Sequence, residues 1–275
     1  MKNKKTNLGT KITLEDVKII QMDILAAIDK FCKDHNIRYS LACGTLLGAI
    51  RHKGYIPWDD DIDIYMPRED YIRMMKEFPE TYEGRYKIAS LEREPLWDRL
   101  FAKAYDNTTL LIENACVNKH IGVCIDIFPV DDVPDNDQKW HSYNFWRKLH
   151  LNLLKTKYNS LNGNQSPIHK LAIALIQVLT CWYPKRKWID YLDKLAQRNN
   201  NKGYSRCFEC CQGLFQNKPF PKNLFDEIID VVFEDRQFKA FANADTYLRN
   251  AYGNYMELPP ENKRITIHDW EAYYK

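Results

Sequence analysis

Two aspartates two residues apart, Asp61 and Asp63, sit in the run Trp58-Asp59-Asp60-Asp61-Ile62-Asp63-Ile64. In a strand that spacing turns both carboxylates to one face. Like charges held that close repel unless a cation lies between them. Mg2+ or Mn2+ fills that role, because hard cations take oxygen ligands and keep positions open for substrate phosphates. The chemistry such a pair offers is metal-assisted phosphoryl transfer. Two carboxylates leave the site incomplete, and a third is expected from a neighbouring strand. Asp126, in Val123-Cys124-Ile125-Asp126-Ile127-Phe128, is the candidate. An acid inside a buried strand needs a partner or costs several kcal/mol. That partner is a metal in one reading and a lysine or arginine in the other. Asp59 and Asp60 read either as outer support that orients a metal ligand or as exposed loop acids beside Trp58.

Upstream, Gly44-Thr45 falls where a strand is expected to turn into a helix. Backbone N–H groups there, with the helix N-terminus behind them, can receive a phosphate. Arg51, His52 and Lys53 lie between this turn and the acids. Arg51 would grip a diphosphate with its planar fork and Lys53 as a point charge. The plainer reading of these three is a solvated basic turn.

The elements that would hold these residues can be traced from periodicity. Thr13 caps a helix, with Asp16 at the capping-box position, and Val17, Ile20, Ile24, Leu25, Ile28, Phe31 and Cys32 mark its apolar face. Ile37 to Cys43 reads as a strand, Leu46 to Arg51 as a short helix, Asp61 to Tyr65 as a strand and Glu69 to Phe78 as a helix. Tyr86–Ser90, Leu100–Tyr105, Thr108–Glu113 and Val123–Phe128 follow as strands, so the first half is a mixed sheet. Pro129 and Pro134, among acids, mark a boundary. Helices are expected from Trp140 to Asn199, with a polar break at Asn159–Pro167. Ile228–Phe233 reads as a strand that carries on into Glu234–Phe238, Asp245–Ala251 as a helix stopped by Gly253, and Pro259-Pro260 as the end of regular structure.

The 275 residues, 45% apolar and 13% aromatic, suit a folded globular chain. A net charge of +3 gives no argument for nucleic acid. The eight cysteines lie mostly in apolar runs, and Cys207-x-x-Cys210-Cys211 has no second ligand pair for zinc, so core positions in a reducing, cytoplasmic setting are expected. Met1 to Lys5 are basic but are not followed by a signal-peptide apolar segment. The apolar run Leu171 to Tyr183 is shorter than the ~20 residues that cross a bilayer. It reads as a buried helix closed by Pro184, although Lys185-Arg186-Lys187 behind it would also suit an anionic membrane surface.

Taken together, Gly44-Thr45-Leu46-Leu47-Gly48-Ala49-Ile50-Arg51-His52 and Pro57-Trp58-Asp59-Asp60-Asp61-Ile62-Asp63 closely resemble the LicD family of phosphotransferases. Asp126-Ile127-Phe128-Pro129 matches that family's third-carboxylate strand. Tyr247-Leu248-Arg249, Tyr252-Gly253-Asn254-Tyr255-Met256 and Pro259-Pro260 look like its C-terminal signature, with Gly253-Asn254 where Gly-Asp is frequent. The resemblance is strongest over residues 41–66 and weakest over 140–200.

The resemblance implies an α+β fold: a nucleotidyltransferase-like mixed β-sheet core over residues 1–135, and a mainly helical lobe with C-terminal strand and helix elements over 136–275. It implies Mg2+ or Mn2+ held by Asp61, Asp63 and Asp126, with Asp59 and Asp60 behind them. The implied donor is a CDP-activated alcohol such as CDP-choline, and the acceptor is a sugar hydroxyl of a cell-surface glycan or its lipid-linked precursor, with release of CMP. Asp126 would take the hydroxyl proton or hold a second metal. Arg51, His52 and Lys103 would steady the diphosphate, Lys103 standing otherwise as an exposed strand lysine. Trp58, Tyr55, Tyr65, Tyr247, Tyr252 and Tyr255 are the aromatics available to a choline cage. Peripheral contact with the inner membrane face is left open by the sequence, and Leu171–Lys187 is the segment that would make it. A nucleotide-sugar glycosyltransferase and an inactive nucleotide-binding protein are the alternative readings.

Overall fold

The computed structural model describes residues 9–113, 121–157, 166–212, 218–266 and 270–275. Met1 to Lys5, Cys116 and most of the Asn159–Pro167 break lie outside these residues.

Helix α1 (Leu14–His35) starts as its sequence dictates: Thr13 is extended and its hydroxyl accepts the Asp16 N–H. Its buried face, from Val17 through Ile24 and Ile28 to Phe31, lies on the sheet. Strand β1 (Ser40–Leu41) is followed by α2 (Cys43–Arg51), β2 (Asp63–Pro67) and α3 (Arg68–Glu77). Then come β3 (Tyr86–Ala89), β4 (Ala102–Asp106), β5 (Thr109–Glu113) and the long β6 (Cys124–Val133). The main sheet runs β1-β2-β6-β4-β3. Its β2–β6 pair is parallel, and its other pairs are antiparallel. This is the mixed α+β nucleotidyltransferase-like sheet expected from the sequence.

Three helices follow: α4 (Asp137–Thr156), α5 (Pro167–Leu179) and α6 (Lys185–Gln197). After them β7 (Arg206–Glu209) and β8 (Phe220–Pro221) return to the main sheet through β6. β9 (Ile228–Phe233) and β10 (Arg236–Phe241) form a hairpin, α7 spans Ala244–Tyr252, and β11 (Trp270–Tyr274) pairs with β5.

Several expectations are corrected. Of the two prolines expected to mark a boundary, Pro129 lies inside β6, which pairs with β4 up to Ile127 and with β7 from Val130, and Pro134 follows its end. Pro129 therefore sits in the gap between two antiparallel partners, where a missing N–H costs least. The run after Phe233 does not continue straight: Glu234 has φ 55°, and the chain reverses there into β10. Regular structure does not end at Pro259-Pro260, because β11 lies beyond it. Strand β2 begins at Asp63 rather than Asp61, and α2 already begins at Cys43, so Gly44 and Thr45 lie in its first turn. The Leu171–Tyr183 run is not a buried helix. Leu171, Leu175, Val178 and Trp182 are 58–77% exposed, while Ile173 on the opposite side is buried. Cys207, Cys210 and Cys211 are buried as core residues, and burial pushes the Cys210 thiol up to about 12.

Candidate active site

The first residue of β2 sits at the centre of the acid cluster. Asp63 is in register with Asp126 on parallel β6, and Asp126 is in register with Lys103 on antiparallel β4. Directly opposed residues of neighbouring strands share a face, so Asp63, Asp126 and Lys103 form one row across three strands. Lys103 Nζ lies 2.7 Å from Asp126 Oδ1, and both side chains are nearly buried. Lys103 is thus no exposed strand lysine. The salt-bridge reading of Asp126 and the row with Asp63 are both present in the same geometry.

Just before β2 the chain approaches in an irregular extended segment that carries the other acids. One oxygen each from Asp59, Asp60 and Asp61 lie within 4.8 Å of one another. Burial, then the carboxylates of Asp61, Asp126 and Asp59, hold the Asp63 carboxyl well above the usual carboxylate range, and Lys103 opposes them. This crowding of carboxylate oxygens suits a hard divalent cation, whose charge would relieve the repulsion. Among the described residues, Asp59, Asp60 and Asp61 are the set whose oxygens come close enough to share such an ion, and the expected Asp61, Asp63 and Asp126 set overlaps it. Asp61 is common to both sets.

The surrounding residues explain why the acids stay together. The Thr45 hydroxyl accepts the Asp63 N–H at 2.8 Å, and the Asp63 carbonyl accepts the Ala42 N–H at 2.9 Å. The start of α2 is thereby stitched to the start of β2. A Cβ on Gly44 would stand 2.4 Å from Asp59 Oδ2, so the bare glycine is what lets that carboxylate lie against the helix. Asp60 is buried and accepts the Trp270 indole N–H at 2.9 Å. It is not an exposed loop acid.

The basic turn is engaged elsewhere. Arg51 donates to the Tyr255 carbonyl at 2.6 Å and from Nε to the His52 ring at 2.9 Å. Burial, then the Arg51 charge, lowers the His52 pKa, so that ring is neutral at physiological pH. Lys53 is exposed, and its backbone is left-handed at φ 65°. The Trp58 ring lies edge-on to His52 and 5.7 Å below the Arg264 guanidinium. Of the aromatics, Tyr65 and Tyr247 are buried around Cys43, and Tyr55 donates to Gln21. Burial and the charges of Cys43, Asp63, Asp59 and Asp61 push the Tyr252 hydroxyl up, which places it in the field of the acids.

Two supports escaped the sequence reading. The Gln21 side chain donates to the Asp60 carbonyl at 3.0 Å and to the Cys124 carbonyl at 3.3 Å, tying α1 to both acid-bearing segments. Its signal was a glutamine among the apolar positions that mark the buried face of α1. Trp270 left no comparable signal, because it belongs to a strand that only long-range pairing with β5 defines. A separate cleft, lined by Arg38, Arg68, Asp132 and Lys222, lies at the other end of β2. Its charges are already satisfied by Arg68–Asp131 and Lys222–Asp132 pairs at 2.6 and 2.8 Å.

Comparison with known proteins agrees with this architecture. The model of the LicD/FKTN/FKRP nucleotidyltransferase domain matches residues 36–162, which contain α2, β2, Lys103 and Asp126. The chain is also 30% identical over 270 residues to the lipopolysaccharide cholinephosphotransferase LicD of Haemophilus influenzae, covering 96% of this chain and 98% of that protein. The chain belongs to the LicD family. An uncharacterized Rickettsia typhi protein shares 46% identity over a shorter stretch of 54 residues, 20% of this chain and 18% of that protein. As a LicD-family transferase the chain is homologous to an enzyme along nearly its whole length.

Proposed function

We propose that this LicD-family transferase moves an alcohol phosphate, phosphocholine or a close analogue, from a CDP-activated donor to a sugar hydroxyl of a cell-surface glycan or its lipid-linked precursor. The observation that carries the reading is the Asp63–Asp126–Lys103 row beside Asp59, Asp60 and Asp61. The name of the Haemophilus influenzae relative supports phosphocholine as the transferred group. A divalent cation bound by these acids would neutralise charge on the donor phosphates.

The acceptor oxygen forms a bond to the phosphorus that carries the alcohol. The bond from that phosphorus to the bridging oxygen breaks, CMP leaves with the electron pair, and the hydroxyl proton passes to a carboxylate of the row. Lys103, 2.7 Å from Oδ1 of Asp126, fixes that side chain in place. Gly44 and Thr45 hold α2 against β2, and their backbone is the surface that meets phosphate oxygens. Arg51 and His52 hold the loop after α7 near the acids, and Lys53, exposed, meets the donor as a point charge. The exposed edge of Trp58 and the Tyr252 ring offer faces to a quaternary ammonium.

The test is CMP release from CDP-choline, CDP-ethanolamine, CDP-glycerol and CDP-ribitol with Mg2+ or Mn2+, in wild type and in Asp61→Ala/Asp63→Ala. Release from one donor, abolished in the double variant, is the expected result. Silence from all four in the presence of an acceptor glycan, or transfer of a sugar from a nucleotide sugar, overturns the reading.

A further inference from the structure

Helix α5 presents its apolar side to solvent. Ile168, Leu171, Leu175, Val178, Leu179 and, just past the helix, Trp182 are 58–82% exposed. Their spacing of three and four residues puts them on one face. The opposite face is the one that packs: Ile173 is buried, and the Gln177 side chain donates to the Thr156 carbonyl of α4 at 2.6 Å. The neighbouring α4 exposes Phe145, Trp146 and Leu149. Among the described residues, nine of the twenty exposed large hydrophobics therefore fall between residues 145 and 182. Scattered apolar residues on a surface need no explanation, but a continuous stripe of this kind marks an interaction site.

Charge says what covers it. The fifty-two residues from Gln138 to Ile189 contain nine lysines and arginines and no aspartate or glutamate, although the chain holds 37 acids in all. Lys185 and Arg186 are neutralised by Asp98 and Asp190 at 2.7 and 2.8 Å. Lys157 is spent on the Thr180 and Tyr183 carbonyls, which close the end of α5. Lys170 is partly exposed at the start of the stripe, and Lys139 and Lys187 are exposed. An apolar face on a stretch of chain that carries lysines and no acid of its own matches an anionic lipid surface.

At 13 residues α5 is about 20 Å long. That is too short to cross a hydrocarbon core of about 30 Å, and among the described residues no helix is long and apolar enough to do so. Lying flat is the geometry left to it. We propose that α5, with the exposed aromatics of α4, docks this protein on an anionic phospholipid surface, the α5 stripe entering the headgroup boundary and Lys170 and Lys187 meeting lipid phosphates. The inference rests on the surface alone and not on the donor or acceptor proposed above.

The experiment is co-sedimentation of the full chain with vesicles of phosphatidylcholine plus phosphatidylglycerol, and with vesicles of phosphatidylcholine alone, at low and high salt. Binding to the anionic vesicles that weakens with salt is expected, together with a blue shift of Trp182 emission that Trp182→Phe removes. Leu171→Glu/Leu175→Glu/Val178→Glu should lower the bound fraction by about tenfold or more, since each charge opposes insertion. These side chains are exposed, so the variant should melt with wild type, and its CMP release from the donor in solution should be unchanged. Equal binding by wild type and the triple variant overturns the proposal. So does absence of binding to anionic vesicles. A wild-type dimer in sedimentation velocity that the triple variant turns to monomer, without vesicle binding, would assign the stripe to a second copy of the chain instead. Because no donor enters the vesicle assay, its failure and a failure of the proposed transfer are told apart.

Discussion

The acid cluster around β2 and the helices from Gln138 to Ile189 are opposites in charge and in how they treat their unusual residues. Around β2 the chain crowds Asp59, Asp60, Asp61, Asp63 and Asp126 together and buries part of that charge. Along the helices it uses no acid and leaves large apolar side chains in solvent. Both arrangements cost folding free energy, the first through desolvation and repulsion, the second through unburied apolar area. A cost kept in one place by a fold that is otherwise well packed points to something outside the chain that relieves it. For the acids the proposed partner is a cation with a donor phosphate. For α5 the proposed partner is an apolar, anionic surface.

The largest effect should follow from breaking the acid side. Asp61→Ala/Asp63→Ala removes the residue common to both candidate metal sets together with the centre of the row. CMP release should fall by about 10³-fold or more, comparable to or beyond the loss of one preorganised transition-state contact. Thermal melting of the same variant should stay at or above that of wild type. A variant that loses activity only because it unfolds would remove the support for a catalytic role.

Next in size is the counter-charge. Lys103→Met leaves Asp126 buried without its 2.7 Å partner. Breaking one side of such a pair costs about 3 kcal/mol or more, read as a lower midpoint in urea. Asp126→Asn on top of Lys103→Met should restore much of that loss, because the uncompensated charge is gone. If the double variant is as unstable as the single one, Lys103 matters for its packing rather than for Asp126.

A smaller, opposite shift is expected at Asp63. Its folded pKa is raised, so the folded state holds the proton more tightly than the unfolded chain does, and that stabilisation is present below the unfolded pKa and lost as pH rises through the folded one. At neutral pH the ionised group is therefore a burden on the fold. In the presence of a chelator Asp63→Asn should raise Tm by roughly 2–4 °C, the shift that ~1 kcal/mol gives at this size, while CMP release is lost. Added Mg2+ should narrow the gap by stabilising wild type alone. A lower Tm in the variant under chelation would mean that the carboxylate holds the fold together.

How far the sequence foretold these two regions follows from the range of the forces involved. Periodicity and capping placed α1, α3, β9 and α7 within a few residues, because those signals are local. The Asp-x-Asp spacing and the acid in Val123–Phe128 were legible for the same reason, and register then brought Asp63 and Asp126 side by side. Pairing was not legible. Nothing near Pro129 says that β4 ends and β7 begins there, and Trp270 becomes a support for Asp60 only through β11 pairing with β5. The α5 stripe misled for a related reason. An apolar run of that length reads as core, and only the packed fold shows that Ile173 is buried while Leu171 and Leu175 do not turn inward.

The smallest expected effect is also the one that separates the two regions most cleanly. Leu175→Glu places a charge on a side chain that is 58% exposed. Were α5 a core helix, as the run suggests, that change would bury an unpaired carboxylate and cost several kcal/mol. On an exposed face it should move the urea midpoint by no more than about 0.5 kcal/mol and leave CMP release from a soluble donor unchanged. The matching change inside the lobe, Leu192→Glu on buried α6, should unfold it. A large loss at Leu175 would mean that the stripe is covered by the protein itself in solution, which would remove the contrast between a cluster awaiting a cation and a helix awaiting a surface.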